Sequence, residues 1–215
     1  MKKLKVLCVL IIFLSGVSAT NAQLKLGLTA GLNSCIVGYS ELSYNEYTGL
    51  NRPFIGITGA YSLNDKAELV GSICYSRIGF NRQVISTIPD SIDYFKDFKQ
   101  LTSYLECPVF IQLKLNPILR IGIGFQGRWA MGAREIGFEN EKNVESGYIE
   151  RDFNRKSKTF SKFDFGPTAR VQLNVNDRLS CELHYAHSLG NYFKSKEALD
   201  NAKLRTFGFG MTRFF

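Results

Sequence analysis

Between residues 104 and 131 the chain alternates apolar and polar positions almost without a break. Leu105, Cys107, Val109, Ile111, Leu113 and Leu115 fall on one face, and Tyr104, Glu106, Pro108, Phe110, Gln112 and Lys114 fall on the other. After Asn116, Pro117 and Ile118 the pattern resumes, with Leu119, Ile121, Ile123, Phe125, Gly127, Trp129 and Met131 set against Arg120, Gly122, Gly124, Gln126, Arg128 and Ala130. Successive side chains of a β-strand leave opposite faces, so a period of two predicts strands, and the Asn-Pro turn joins them as a hairpin. Each run exceeds the roughly 5 to 6 residues of an ordinary strand and suits the roughly 9 to 11 of a tilted strand crossing a membrane.

The same alternation returns at residues 24–33, 54–63, 69–75, 163–174 and 179–186 and in the final run to Phe215. Short turns fall at Asn64-Asp65-Lys66, at Asn116-Pro117-Ile118 and at Asn176-Asp177. Long polar connections occupy residues 35–52, 82–99, 132–162 and 190–203. Long and short joints therefore alternate, as they do where short periplasmic turns oppose longer external loops. The pattern predicts an all-β, eight-stranded antiparallel up-and-down transmembrane β-barrel with both termini in the periplasm. Proline lacks the N–H that a central strand donates, so Pro108 and Pro167 are expected at bulges near the external strand ends.

The N-terminus sets the route. Lys2, Lys3 and Lys5 precede an apolar run from Val6 to Leu14, and Thr20-Asn21-Ala22 supplies a small-residue cleavage point. Residues 1–22 are expected to be a secretory signal, leaving residues 23–215 as the barrel domain. The formal net charge of +8 falls when those lysines leave, and there is no polybasic run, so no nucleic-acid partner is expected. Of the five cysteines, Cys35, Cys74, Cys107 and Cys181 lie beyond the signal. An exported chain permits disulfides between them, but their strand positions favour small buried apolar groups.

Several segments resemble, in order, landmarks of the PorT-like family of outer-membrane β-barrel proteins. They are Ala67-Glu68-Leu69 through Tyr75-Ser76-Arg77-Ile78-Gly79-Phe80, Tyr104-Leu105-Glu106-Cys107-Pro108-Val109, Phe163-Asp164-Phe165-Gly166 and Leu183-His184-Tyr185-Ala186-His187-Ser188-Leu189-Gly190. The resemblance covers essentially the mature chain and implies an eight-stranded barrel in the bacterial outer membrane. It implies little about the task.

Candidate chemistry is sparse. Gly122, Gly124 and Gly127 spell GxGxxG, but phosphate binding needs a helix to open there, and the strand alternation instead runs through them. They are expected to relieve crowding in a narrow barrel. His184 and His187 alternate onto opposite faces without a carboxylate or cysteine cluster, so no metal and no other cofactor is expected. His187 and Ser188 give an alternative, a lipid A deacylase-like enzyme with Glu182 or Glu197 as the orienting acid. A further alternative is a soluble lipocalin-like binding barrel, which would turn its apolar face inward.

The leading reading is a non-enzymatic barrel whose interior is filled by side chains and whose loops bind, or assist assembly or secretion. Its surroundings would be outer-membrane lipid and lipopolysaccharide. A protein partner would meet the loops, whose aromatics include Tyr148 and Tyr192. Tyr61, Tyr75, Trp129 and Tyr185 sit toward strand ends on the apolar faces as interface anchors, with Arg77, Arg205 and Arg213 outward beside them. Inside, Lys25, Lys114, Arg120, Arg128 and Arg170 face Glu68, Glu106, Asp164 and Glu182. A hairpin centred on Pro117 pairs Glu106 with Arg128, and the turn at Asn176-Asp177 brings Arg170 near Glu182. Loss of Glu106 alone is then expected to strand a buried Arg128 at about 3 to 5 kcal/mol.

Overall fold

The computed structural model describes residues 24–38, 46–88, 92–143, 147–156, 160–192 and 203–215; the expected signal segment lies outside them. The elements are strands, in chain order β1 (Leu24–Gly38), β2 (Glu46–Leu50), β3 (Arg52–Ser62), β4 (Ala67–Ile88), β5 (Ile92–Lys114), β6 (Leu119–Asn143), β7 (Gly147–Lys156), β8 (Phe163–Asn174), β9 (Leu179–His187) and β10 (Lys203–Phe214). Eight of them close a ring in the order β1, β3, β4, β5, β6, β8, β9, β10, with each neighbouring pair antiparallel. The last strand returns onto the first, from Gly27 opposite Phe214 to Gly38 opposite Lys203. Closure removes the open edges that a flat sheet would expose to lipid.

The three short turns share one construction. In each, an asparagine follows the last apolar residue and its side-chain oxygen accepts two backbone N–H groups: Asn64 from Lys66 and Ala67, Asn116 from Ile118 and Leu119, Asn176 from Arg178 and Leu179. Such side-chain mimicry of a backbone turn is why asparagine is favoured there. Each turn is also joined to the next hairpin, through Lys114 N–H to Lys66 C=O, Asn174 N–H to Ile118 C=O and Phe214 N–H to Arg178 C=O.

At the other end, three of the four long connections are partly strand. β4, β5 and β6 run 22, 23 and 25 residues, and pairing continues to Ile88 opposite Ile92 and to Asn143 opposite Gly147. At about 3.3 Å per residue the longest reaches roughly 80 Å, far beyond what a bilayer requires. β2 pairs only with β4, and β7 pairs only with β6, among the described residues. A sheet in the order β2, β4, β5, β6, β7 therefore continues beyond the ring. Alternation fades in these segments because no lipid selects one face, which is why they read as loops in the sequence.

The prolines are not at bulges. The only register shift within the β5–β6 ladder lies between Ser103 and Tyr104, whereas Pro108 stays in register opposite Gln126 and Pro167 opposite Phe125. The cost of Pro108 falls on its other side, where the β4–β5 ladder breaks between Val109 and Glu106 without changing register.

Outside and inside are inverted relative to a soluble barrel. Ile55, Ile57, Ile111, Ile123, Phe125, Leu183 and Phe209 are exposed, while Gln112, Gln172, Thr58, Thr212, Glu106, Arg128 and Arg170 are buried. That arrangement overturns the lipocalin-like alternative, whose interior would have to be apolar, and it fits an apolar band in contact with lipid. Cys107 is exposed on this outer face and Cys181 half-buried, contrary to the expectation of four buried cysteines. Cys35 and Cys74 are buried inside, and all four are free thiols.

Of the three glycines in the GxGxxG string, Gly124 is the tightest: a Cβ there would collide with the Val109 carbonyl oxygen. At Gly127 nothing lies within 4 Å of such an atom. Gly124→Val is expected to lower stability by about 1 to 3 kcal/mol, with Gly127→Ala close to neutral, in urea unfolding from lipid vesicles.

The barrel interior as candidate functional site

Side chains fill the ring in layers from the turn end to the outer end. The first layer holds Glu68, which takes Arg120 Nη1 at 2.6 Å and Lys114 Nζ at 3.7 Å. Above it Ala60, Val70, Phe110 and Phe214 make a small apolar floor. The Arg170 guanidinium lies 5.5 Å from the Phe110 ring centroid.

Arg170 anchors the next layer. Its Nη2 is 2.5 Å from Glu182 Oε2 and donates to Gln172 Oε1 at 2.8 Å, which also accepts from Gln112 Nε2 at 3.0 Å. Arg170 and Glu182 are diagonal neighbours, because Arg170 is registered opposite His184 and Glu182 opposite Gln172. His184 reaches Asn33 Oδ1 at 3.1 Å and stands 3.7 Å from Glu182 Oε1, and its ring meets Phe54 edge-on. The strands thus bring an arginine, a histidine, three amides and a carboxylate to the axis of the barrel.

A third charged layer is centred on Arg128. It is registered opposite Glu106 on one side and opposite Asp164 on the other. Its Nε lies 3.2 Å from Glu106 Oε1, its Nη1 lies 3.7 Å from Asp164 Oδ2, and its Nη2 donates to Thr206 Oγ1 at 2.8 Å. Ser188 Oγ donates to Asp164 Oδ2. Buried charges need this density of partners, since an unpaired one is heavily penalised. The role of Asp164 as second acid was not legible in the sequence: the long connection between β6 and β8 offers no turn on which to centre a register.

The outermost layer is apolar again. Cys35, Val37, Ile78, Phe80, Tyr104, Ala130, Leu204 and Tyr192 pack as one cluster. Tyr192 belongs to the stretch after β9, which folds into the ring through Ser188 N–H to Leu204 C=O and Leu189 N–H to Phe165 C=O. Its hydroxyl shares a 2.6 Å hydrogen bond with Thr102, and its ring meets Phe80 edge-on. Burial pushes the phenol well above its ordinary pKa, with Thr102 partly opposing, so it stays un-ionised. Tyr192 is therefore interior packing and not an exposed loop aromatic. Tyr148 and the other loop aromatics lie where side chains are outside the description.

Enzymatic geometry is lacking at the pair singled out for it. Ser188 turns inward to Asp164, while His187 turns outward, its Nδ1 3.4 Å from the Tyr185 hydroxyl. Between the charged layers the cavity lined by Glu106, Phe110, Arg170, Glu182 and His184 holds about 20 Å³, room for about one water. Among the described residues no group of three or more metal-ligating side chains converges.

An apolar exterior, a closed eight-strand ring and a filled polar interior define a transmembrane β-barrel of the bacterial outer membrane. The chain belongs to the outer membrane protein beta-barrel domain family, whose model matches residues 13–194. It is similar in structure to Ail, the attachment invasion locus protein of Yersinia pestis, at 13% identity and a TM-score of 0.46, covering 90% of this chain and 100% of that one. Neisserial surface protein A is similar at 12% identity and a TM-score of 0.42, covering 90% and 98%. OprG of Pseudomonas aeruginosa is similar at 13% identity and a TM-score of 0.36, covering 89% and 94%. No curated protein matches the sequence.

Proposed function

We propose that the chain is a non-enzymatic, non-conducting outer-membrane barrel of the PorT-like branch, and that it binds a protein partner through the sheet it carries beyond the ring. The observation that carries this reading is the continuation of β4, β5 and β6 past the barrel, bordered by β7, whose outer edge has no pairing partner among the described residues. An unpaired strand edge offers a row of backbone donors and acceptors to an incoming strand. Charges on β7, Glu150, Arg151, Asp152, Arg155 and Lys156, would keep such pairing selective. Arg155 is held in place by Glu135 at 3.0 Å.

Export would proceed through residues 1–22 with cleavage after Ala22, so that intact-mass measurement on outer-membrane protein finds a chain starting at Gln23. A photocrosslinker at the exposed Asn154 in intact cells is expected to give one discrete protein adduct, lost when Asp152→Pro disrupts the edge. Adducts to lipopolysaccharide alone would sink the reading. Liposomes carrying the protein are expected not to swell in small sugars, because two apolar layers and three charged layers fill the lumen; rapid size-dependent swelling would contradict the sealed interior.

A further inference from the structure

At the opposite end from the sheet that continues beyond it, the ring opens into a cavity of about 400 Å³, closed above by Phe214 and Ala60 and rimmed by the turns at Pro117-Ile118 and Asn174 to Asp177. Short turns mark the periplasmic end of such barrels. The volume lies within the roughly 300 to 1,000 Å³ of small-molecule pockets.

Two cations line it from opposite walls. Lys25 comes from β1 and Arg120 from β6, and four steps separate these strands either way around the eight-strand ring. Lys25 is exposed and has no ion-pair or hydrogen-bond partner among the described residues. Arg120 gives Nη1 to Glu68, but its Nε is buried without a hydrogen-bond partner. Glu68 is already shared, since Lys114 also reaches it at 3.7 Å. One carboxylate thus serves two cations while a third stands free across the mouth. Asn176 uses its side-chain oxygen to hold the turn, leaving its NH₂ as a further donor on the rim. Asp177, in the exposed turn, is the one acid lining the cavity.

We infer that this vestibule is a binding site for a small dianion from the periplasm, a dicarboxylate or a phosphate monoester, bridged between Lys25 and Arg120. A doubly charged group satisfies both walls at once, whereas a monoanion leaves one cation unmatched. The apolar floor and Ile118, Val175 and Leu179 on the walls accommodate a short carbon skeleton. The site is a dead end, because the layers above it are packed.

Isothermal titration calorimetry on the full barrel in detergent, with succinate and with glycerol 3-phosphate as probes at low ionic strength, tests the assignment. Saturable binding is expected, weaker for acetate and weakened by added salt. Lys25→Gln removes an exposed side chain and leaves the fold intact, and it is expected to lower affinity by about tenfold or more, the size of a lost charged hydrogen bond. Arg120→Gln should act in the same direction, with heat-modifiable migration on gels confirming that the barrel has formed. Lys66→Gln, in a turn that does not line the cavity, should leave affinity unchanged. Absence of saturable heat with either probe, or equal loss in Lys25→Gln and Lys66→Gln, would overturn the site.

Discussion

Arg128→Met is expected to destabilise the folded barrel by about 3 to 5 kcal/mol, measured by urea unfolding from lipid vesicles. The arginine stands between Glu106 and Asp164 with its side chain 3% exposed, so its loss leaves two buried carboxylates facing each other without a cation. Glu106→Ala is expected to cost less than a simple pair would imply, because Asp164 and Thr206 still hold the guanidinium. Arg128→Met combined with Glu106→Gln should recover part of the penalty, since one stranded charge is removed with its partner. Strict additivity of the two changes would mean that the ions are not coupled.

The second large effect is expected at Arg170 and Glu182. Arg170 is 2% exposed and Glu182 9%, and their nearest atoms are 2.5 Å apart. A double-mutant cycle with Arg170→Met and Glu182→Gln should give a coupling energy of about 1 to 3 kcal/mol. Either single change leaves a charge in the middle of the filled lumen, where His184 stands 3.7 Å from Glu182. A coupling near zero would mean that water screens the pair and that the lumen is wetter than its 20 Å³ cavity implies.

The strand ring was legible because lipid imposes a period of two on every residue that crosses it. The register of β5 with β6 was legible for a narrower reason: four residues join them, and the turn at Asn116 leaves one centre of symmetry, which places Glu106 opposite Arg128. The same logic worked only approximately at Asn176, where the observed register puts Gln172 and not Arg170 directly across from Glu182. Arginine is long enough to span the diagonal, so the contact forms anyway.

The sequence by itself determined which residues face lipid and which face inward, where the tight turns fall, and that charges of both signs must share the interior. Tertiary structure alone decided the rest: that Asp164 joins Arg128 from β8, that Ser188 and Tyr192 fold back to seal the outer end, and that β4 to β7 continue as paired strands beyond the membrane. The division follows from range. Alternation and turns are set by a residue and its near neighbours, whereas pairing across a long connection is selected by the fit of the whole closed ring, which no local stretch encodes.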